Sequence, residues 1–196
     1  MKDIERIDRK IKRKMIKSTV RVFVDVFPVK DVKVVDIGAR IGYATKLLKN
    51  AGYDVIGTEI EPRYVDYAVK KGRNVIVDNF MNSKLPGNEF DIVFSRHVLE
   101  HCADTGKFFD ECERILKPFG RVFITFPLEK KKTFSEKFNK KTGMTKAEHR
   151  VCYETIEEFR GVVDNTNFKI EYLDYSEKMG IVPMKREVLL IAEIDK

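Results

Sequence analysis

The chain has 196 residues, of which 43% are apolar and 11% aromatic, so it can form a hydrophobic core and general disorder is excluded. Its formal net charge is +7, and no apolar run approaches the roughly 20 residues of a membrane span. The first residues lack the apolar stretch of a secretory signal, and the three cysteines include no C-x-x-C pair. We therefore expect a single domain over residues 1–196 in a reducing cytoplasm.

At the start of the chain, isoleucines at positions 4, 7 and 11 recur at helical spacing among basic residues, which predicts an amphipathic helix. Residues 18–27 are ambiguous, because their apolar residues fit either strand alternation or one helical face. Pro28 ends either element.

After Pro28, short apolar runs alternate with helical stretches. The predicted strands are 32–37, 54–58, 74–77, 90–94, 121–126, 168–175 and 186–193, and the predicted helices are 43–51, 62–71, a stretch through Leu99, and 153–164. Near-continuous apolar strands separated by helices are typical of a parallel sheet covered on both faces. Residues 176–185 leave no room for a crossover helix, so the last strand should be antiparallel. The predicted fold is a three-layer α/β sandwich around a mostly parallel, seven-stranded sheet.

Positive charge is concentrated in two segments. Residues 1–21 contain nine Lys or Arg and three acidic residues, and residues 129–150 contain eight and three. Such segments can bind nucleic acid, an anionic substrate or a membrane surface, or they can be a solvated helix and loop. We predict a basic helical extension over residues 1–29 and a basic lid or insertion over residues 128–150.

The segment that follows the first predicted strand carries a glycine motif. Ligands of open α/β sheets bind beyond the carboxyl ends of the strands, and Asp36-Ile37-Gly38-Ala39-Arg40-Ile41-Gly42 occupies that place. A dinucleotide motif, G-x-G-x-x-G, would need glycine at position 40, where the Arg40 side chain would crowd a pyrophosphate. The spacing is instead D-x-G-x-x-x-G.

This motif resembles the first motif of class I S-adenosylmethionine (SAM)-dependent methyltransferases. The resemblance continues in order over residues 32–127: a second strand ending at Glu59, a third followed by Asp78, the segment Phe90–His101, and the turn Ile115–Gly120. It implies a Rossmann-like methyltransferase fold, SAM as the cofactor and S-adenosylhomocysteine as the product.

The resemblance also implies which residues bind the cofactor. Asp36 and the following loop would hold the methionine end, and Glu59, rather than its neighbour Glu61, would accept hydrogen bonds from the ribose hydroxyls. Asp78 would read the adenine amino group while Phe80 contacts the ring. The full predicted set is Asp36, Gly38, Ala39, Arg40, Gly42, Glu59, Ile60, Asp78, Asn79, Phe80 and Ser95. For the Arg40 side chain two interpretations stay open, facing solvent or bonding the cofactor carboxylate.

Two histidines are candidates for the chemistry itself. A general base is needed only if the nucleophile must lose a proton, and His97 is the first candidate because it follows the fourth strand and imidazole titrates near neutrality. A pocket-lining or helix-capping role for His97 is the alternative, and His149 is the second candidate base. His97 and His101 have a spacing found in metal sites, but no third ligand is signalled, so we predict no metal.

The acceptor is predicted from charge. The lysines at 130–132, together with Arg150, favour a small or moderately sized anionic molecule. Two alternatives remain: an RNA methyltransferase that clamps phosphates with residues 1–21 and 129–150, and a SAM-binding protein without catalysis.

Overall fold

A computed structural model describes residues 4, 13–28, 31–128, 151–175 and 187–195 of the chain. Within these ranges the strands are β1 (Lys33–Ile37), β2 (Asp54–Glu59), β3 (Val75–Val77), β4 (Phe90–Arg96), β5 (Leu116–Pro127), β6 (Phe168–Tyr175) and β7 (Glu187–Ile194). They form one seven-stranded sheet in the order β3-β2-β1-β4-β5-β7-β6.

The direction of the strands brings their functional ends to one edge. Strands β3, β2, β1, β4 and β5 are parallel, whereas β7 is antiparallel to both β5 and β6. This confirms the predicted mostly parallel sheet with an antiparallel last strand. Because β7 runs backwards, its first residue, Glu187, pairs with Pro127 at the end of β5 and so lies at the carboxyl edge of the parallel strands.

Helices pack on the sheet and begin at recognisable caps. Those described are α1 (Arg13–Val26), α2 (Tyr43–Asn50), α3 (Pro62–Lys70), α4 (Thr105–Ile115) and α5 (Ile156–Val163). The side chains of Glu61, Asp104 and Thr155 accept hydrogen bonds from backbone N–H groups in the first turns of α3, α4 and α5. Such caps satisfy donors that the helix itself cannot pair.

The two faces of the sheet have separate cores. On one face, the fully buried Phe23 of α1 packs edge-on against Phe94 and Phe123, with ring centroids 5.4 and 5.3 Å apart. On the other face, Phe108 of α4 and Phe159 of α5 are fully buried. Alternate strand residues point to opposite faces, which gives the three layers. The ambiguous segment 18–27 is helical as far as Val26, because helical spacing brings Val20 and Phe23 to the same core.

Two predicted boundaries around β4 and β5 were wrong. The predicted helix through Leu99 is absent; β4 continues to Arg96, His97 turns the backbone at a φ of 56°, and only a short 3₁₀ turn follows at Leu99–His101. Strand β5 begins at Leu116 rather than at Arg121, with an irregular register before Arg121. Side-chain pattern alone does not reveal such backbone irregularities, because they depend on the neighbouring strand.

Candidate active site

The loop after β1 is a tight, left-handed structure. Gly38 and Gly42 have φ values of 67° and 68°, and Arg40 between them has a φ of 52°. A Cβ on Gly38 would lie 2.4 Å from a methyl group of Val98, so this position requires glycine for its conformation and for its space. The Ala39 N–H donates to the carbonyl of Thr58 at 2.8 Å, which ties the loop to the end of β2.

Asp36 provides a buried acid below this loop. Its carboxylate accepts a hydrogen bond from the Thr45 hydroxyl at 2.6 Å, and the residue is only 2% exposed. Burial raises the pKa of Asp36 to about 7, against the lowering effect of the Thr45 hydrogen bond. A cation bound next to this carboxylate would stabilise its ionised form, which burial disfavours.

Glu59 lies at the carboxyl end of β2 and is also buried. Its two oxygens accept hydrogen bonds from the backbone N–H groups of Arg40 and Glu61, both at 2.9 Å. These contacts fix the carboxylate at the crevice, and each oxygen retains a lone pair for a further donor. The side chain of Glu61 is engaged elsewhere, because it caps α3 and pairs with Arg63.

Asp78 follows β3 and presents a third acid at the same edge. One oxygen accepts from the Lys84 N–H at 3.1 Å, and the other is buried without a hydrogen-bond partner among the described residues. An unsatisfied buried oxygen of this kind can take a donor from a ligand. The neighbouring Asn79 instead caps the 3₁₀ turn Phe80–Asn82 with its side chain and is exposed.

The apolar contact at this edge differs from the expected one. The Phe80 side chain packs against Phe108 of α4, with centroids 5.2 Å apart, and is only 7% exposed. The 3₁₀ turn directs the ring into the core. Ile60, next to Glu59, is 64% exposed and offers an apolar side chain to a planar ring.

The Arg40 side chain is exposed, as in the first of its two interpretations, and it also contacts an aromatic ring. Its guanidinium lies 5.5 Å from the ring centroid of Tyr64 on α3, in a cation–π contact, while the residue stays exposed. The side chain therefore lies on the β2–α3 side of the loop.

The end of β4 is the most highly charged part of the site. Nδ1 of His97 lies 3.1 Å from an oxygen of Glu100, and Nε2 lies 2.7 Å from an oxygen of Glu187. Burial alone would lower the pKa of His97, but the hydrogen bonds to Glu100 and Glu187 outweigh it and raise the pKa. Both nitrogens face acceptors, which favours the imidazolium, so the structure disfavours His97 as a general base. Ser95, the residue before Arg96, is fully buried, and its hydroxyl has no described partner.

Several expectations concern residues beyond the described ranges. His149, the second candidate base, lies outside them, as do residues 129–150 as a whole and most of residues 1–12. The described chain resumes beside the site, where the Val151 N–H donates to the carbonyl of Glu100.

Other chemistries can be checked in the described part of the chain. There, no group of three or more potential ligands could hold a metal ion. None of the helices seen in these ranges combines the length and apolar character that crossing a bilayer requires. Burial raises the pKa of the Cys102 thiol to about 12, so it is not a nucleophile near neutral pH.

Sequence reasoning missed Glu100 and Glu187 as site residues. Glu187 begins an apolar strand, where a single acid is unremarkable, and it is 90 positions from His97 along the chain. A prediction that β4, β5 and β7 are adjacent in the sheet would have been needed to place both glutamates beside His97.

Comparison with known proteins agrees with this geometry. Residues 35–124 match a family described as a methyltransferase domain. Phosphoethanolamine N-methyltransferase 3 of Arabidopsis thaliana is 29% identical over 129 residues, which are 62% of this chain and 26% of that protein. A ubiquinone biosynthesis O-methyltransferase of Cereibacter sphaeroides is 27% identical over 114 residues, 55% of this chain and 46% of that protein. The chain thus matches less than half the length of either relative.

A solved structure shares the fold. Phosphoethanolamine N-methyltransferase 2 of Haemonchus contortus, in complex with S-adenosyl-L-methionine, superposes with a TM-score of 0.72 and 19% identity, covering 92% of this chain and 53% of that one. The strand order and the glycine loop are those of the Rossmann-like methyltransferase fold, and residues 35–124 of the chain match a methyltransferase domain.

Proposed function

We propose that the chain is a SAM-dependent methyltransferase that acts on a small or moderately sized acceptor. The observation that carries this proposal is the row of buried acids, Asp36, Glu59 and Asp78, at the ends of three adjacent strands. Each acid matches a different donor of the nucleoside: an ammonium, a pair of ribose hydroxyls and an adenine amino group.

The residues fit the cofactor as follows. Asp36 and the loop Gly38–Gly42 hold the methionine end, Glu59 holds the ribose, and the unpaired oxygen of Asp78 accepts from the adenine amino group. The exposed Ile60 packs on the adenine ring. When bound, SAM supplies a methyl group made electrophilic by the sulfonium. The chain itself contributes alignment of the acceptor and exclusion of water.

For the acceptor we retain an anionic small molecule. The lysines at 130–132 support it through their charge. The two curated relatives are named for a phosphate-bearing amine and for ubiquinone biosynthesis, both small-molecule chemistries.

Calorimetric titration with SAM tests the cofactor site. Glu59→Ala should weaken SAM binding by about tenfold or more, because charge-assisted hydrogen bonds to the ribose are lost. Glu61→Ala is the matched control, since it removes a neighbouring acid that pairs with Arg63 instead. Equal affinities of the wild type and the Glu59 variant would refute the ribose role.

Transfer of labelled methyl from SAM into size-fractionated cell extract tests the activity. We expect label in the small-molecule fraction. Label confined to an RNase-sensitive fraction would refute the small acceptor, and SAM binding without any transfer would refute catalysis.

A further inference from the structure

A buried ionic cluster lies at the carboxyl end of β4, beside the proposed cofactor site. We define it by four residues: Arg96, His97, Glu100 and Glu187. Their side chains are only 18%, 19%, 3% and 5% exposed. None of them is assigned to SAM in the proposed function.

The cluster is joined through His97. The imidazole bridges one oxygen of Glu100 and one oxygen of Glu187, and the same Glu187 oxygen lies 4.0 Å from a terminal nitrogen of Arg96. Two cations and two carboxylates therefore balance in charge. Both carboxylates contact the same ring, so they lie on opposite sides of one imidazole.

The second oxygen of each carboxylate does not contact His97. Within the described residues, Glu100 Oε2 and Glu187 Oε2 are buried without hydrogen-bond partners, and so are the Thr125 hydroxyl and the Arg96 Nε. Thr125 pairs with Arg96 in the sheet, which places its hydroxyl at the same edge. Arg96 Nε can only donate, but the other three atoms can accept. A buried carboxylate oxygen without a donor is unfavourable, so the two free carboxylate oxygens point to a ligand that supplies donors.

We infer that Glu100 and Glu187 accept hydrogen bonds from an amino group of the methyl acceptor. This inference rests on the proposed function and specifies its acceptor. A phosphate or carboxylate at this point would offer no donor to the two free carboxylate oxygens. A hydroxyl offers one hydrogen, whereas an amino group offers two or three and can satisfy both carboxylates. The acceptor's anionic group then lies away from the cluster.

Matched ligand pairs test the inference by binding alone. Wild-type protein saturated with S-adenosylhomocysteine is titrated with 3-aminopropylphosphonate and 3-hydroxypropylphosphonate, and with tyramine and tyrosol. We expect at least one amine to bind about tenfold or more tightly than its hydroxyl counterpart. Equal affinity within both pairs, or no binding by either amine, overturns the inference.

Variants locate the effect in the cluster. Glu187→Gln should abolish the amine preference and leave the affinity for S-adenosylhomocysteine within about twofold of wild type. Glu193→Gln is the matched control, because it lies at the other end of β7 and pairs with Arg121. Retained amine preference in Glu187→Gln overturns the inference. The wild-type ligand pairs give an answer even if that variant does not fold.

A transfer assay separates this inference from the proposed function. Small-molecule extract is N-acetylated, then treated with hydroxylamine to free acetylated hydroxyls, and offered with labelled SAM. Loss of methyl incorporation relative to untreated extract supports the amine acceptor. Undiminished incorporation overturns the amine but leaves the methyltransferase intact, whereas failure of the protein to bind SAM would overturn the proposed function itself.

Discussion

At the scale of single residues, Asp36 combines two demands that conflict. In the proposed function it must be charged to hold an ammonium, yet its burial raises the pKa to about 7. Asp36 is therefore expected to be partly protonated near neutral pH in the free protein, and binding of a cation next to it should release that proton.

This conflict predicts a pH-dependent cofactor affinity. A proton on Asp36 competes with the ammonium, so SAM binding should weaken by about tenfold for each pH unit below 7 and level off above it. Calorimetry across this range measures the slope. In Asp36→Asn the slope should vanish and binding should be weak throughout; the same slope in that variant would assign the titration to another group.

Gly38 gives a second prediction at this scale. Gly38→Ala forces a Cβ to within 2.4 Å of Val98 at a φ of 67°, so it should destabilise the fold by about 1–3 kcal/mol. Gly161→Ala is the control, because Gly161 lies within α5 with open space around it, and there the change should stabilise by about 0.5–1 kcal/mol. Urea unfolding distinguishes the two; equal effects would contradict the steric argument.

At the scale of elements, α1 is held by aromatic packing. The ring of Phe23 contacts Phe27, Tyr53, Phe94 and Phe123, with centroids between 5.1 and 5.4 Å away. The helix therefore covers the β1–β4–β5 face. The Lys and Arg residues between positions 13 and 21 therefore belong to a helix that buries one face in the core.

Removal of the Phe23 ring should lower the free energy of unfolding far more than removal of a surface side chain from the same helix. Phe23→Ala should lower the free energy of unfolding by about 3–5 kcal/mol, through lost burial and the cavity that remains. Val26→Ala, at a position 40% exposed, should change it by no more than about 0.5 kcal/mol. A small effect of Phe23→Ala in denaturant unfolding would mean that α1 is peripheral.

At the scale of the whole molecule, His97 connects strands that are distant in sequence. It follows β4 and reaches Glu187 at the start of β7, so the imidazolium links the two halves of the sheet at its functional edge. The pKa of His97 is raised in the folded protein because the two carboxylate hydrogen bonds outweigh burial.

The sign of the pH effect follows from that raised pKa. The stabilisation by His97 is fully present below its unfolded pKa of about 6.5 and is lost as pH rises through the folded value. The difference in unfolding free energy between wild type and His97→Gln should therefore shrink as pH rises from about 6.5 through the raised folded pKa. The comparison cancels the titration of Asp36, which both proteins share. A difference that grows with pH would contradict the imidazolium.

Much of the fold could be predicted from the pattern of apolar residues in the sequence. The β-branched runs at 32–37 and 54–58 predicted β1 and β2 to within one residue at each end, because a buried parallel strand needs a continuous apolar sequence. The conformation of the segment after Arg96 could not be predicted in this way. Its left-handed turn at His97 depends on a hydrogen bond from the His97 N–H to the carbonyl of Thr125 on β5.

The candidate site divides in the same way. Pattern alone predicted the acids at the ends of β1 and β2 and directly after β3, and the glycines at 38 and 42, because strand ends and glycine turns are local features of the chain. The turn of Phe80 into the core and the position of His97 between Glu100 and Glu187 could be seen only in the folded chain. Those contacts depend on the order of the strands in the sheet, which brings together side chains as much as 90 positions apart.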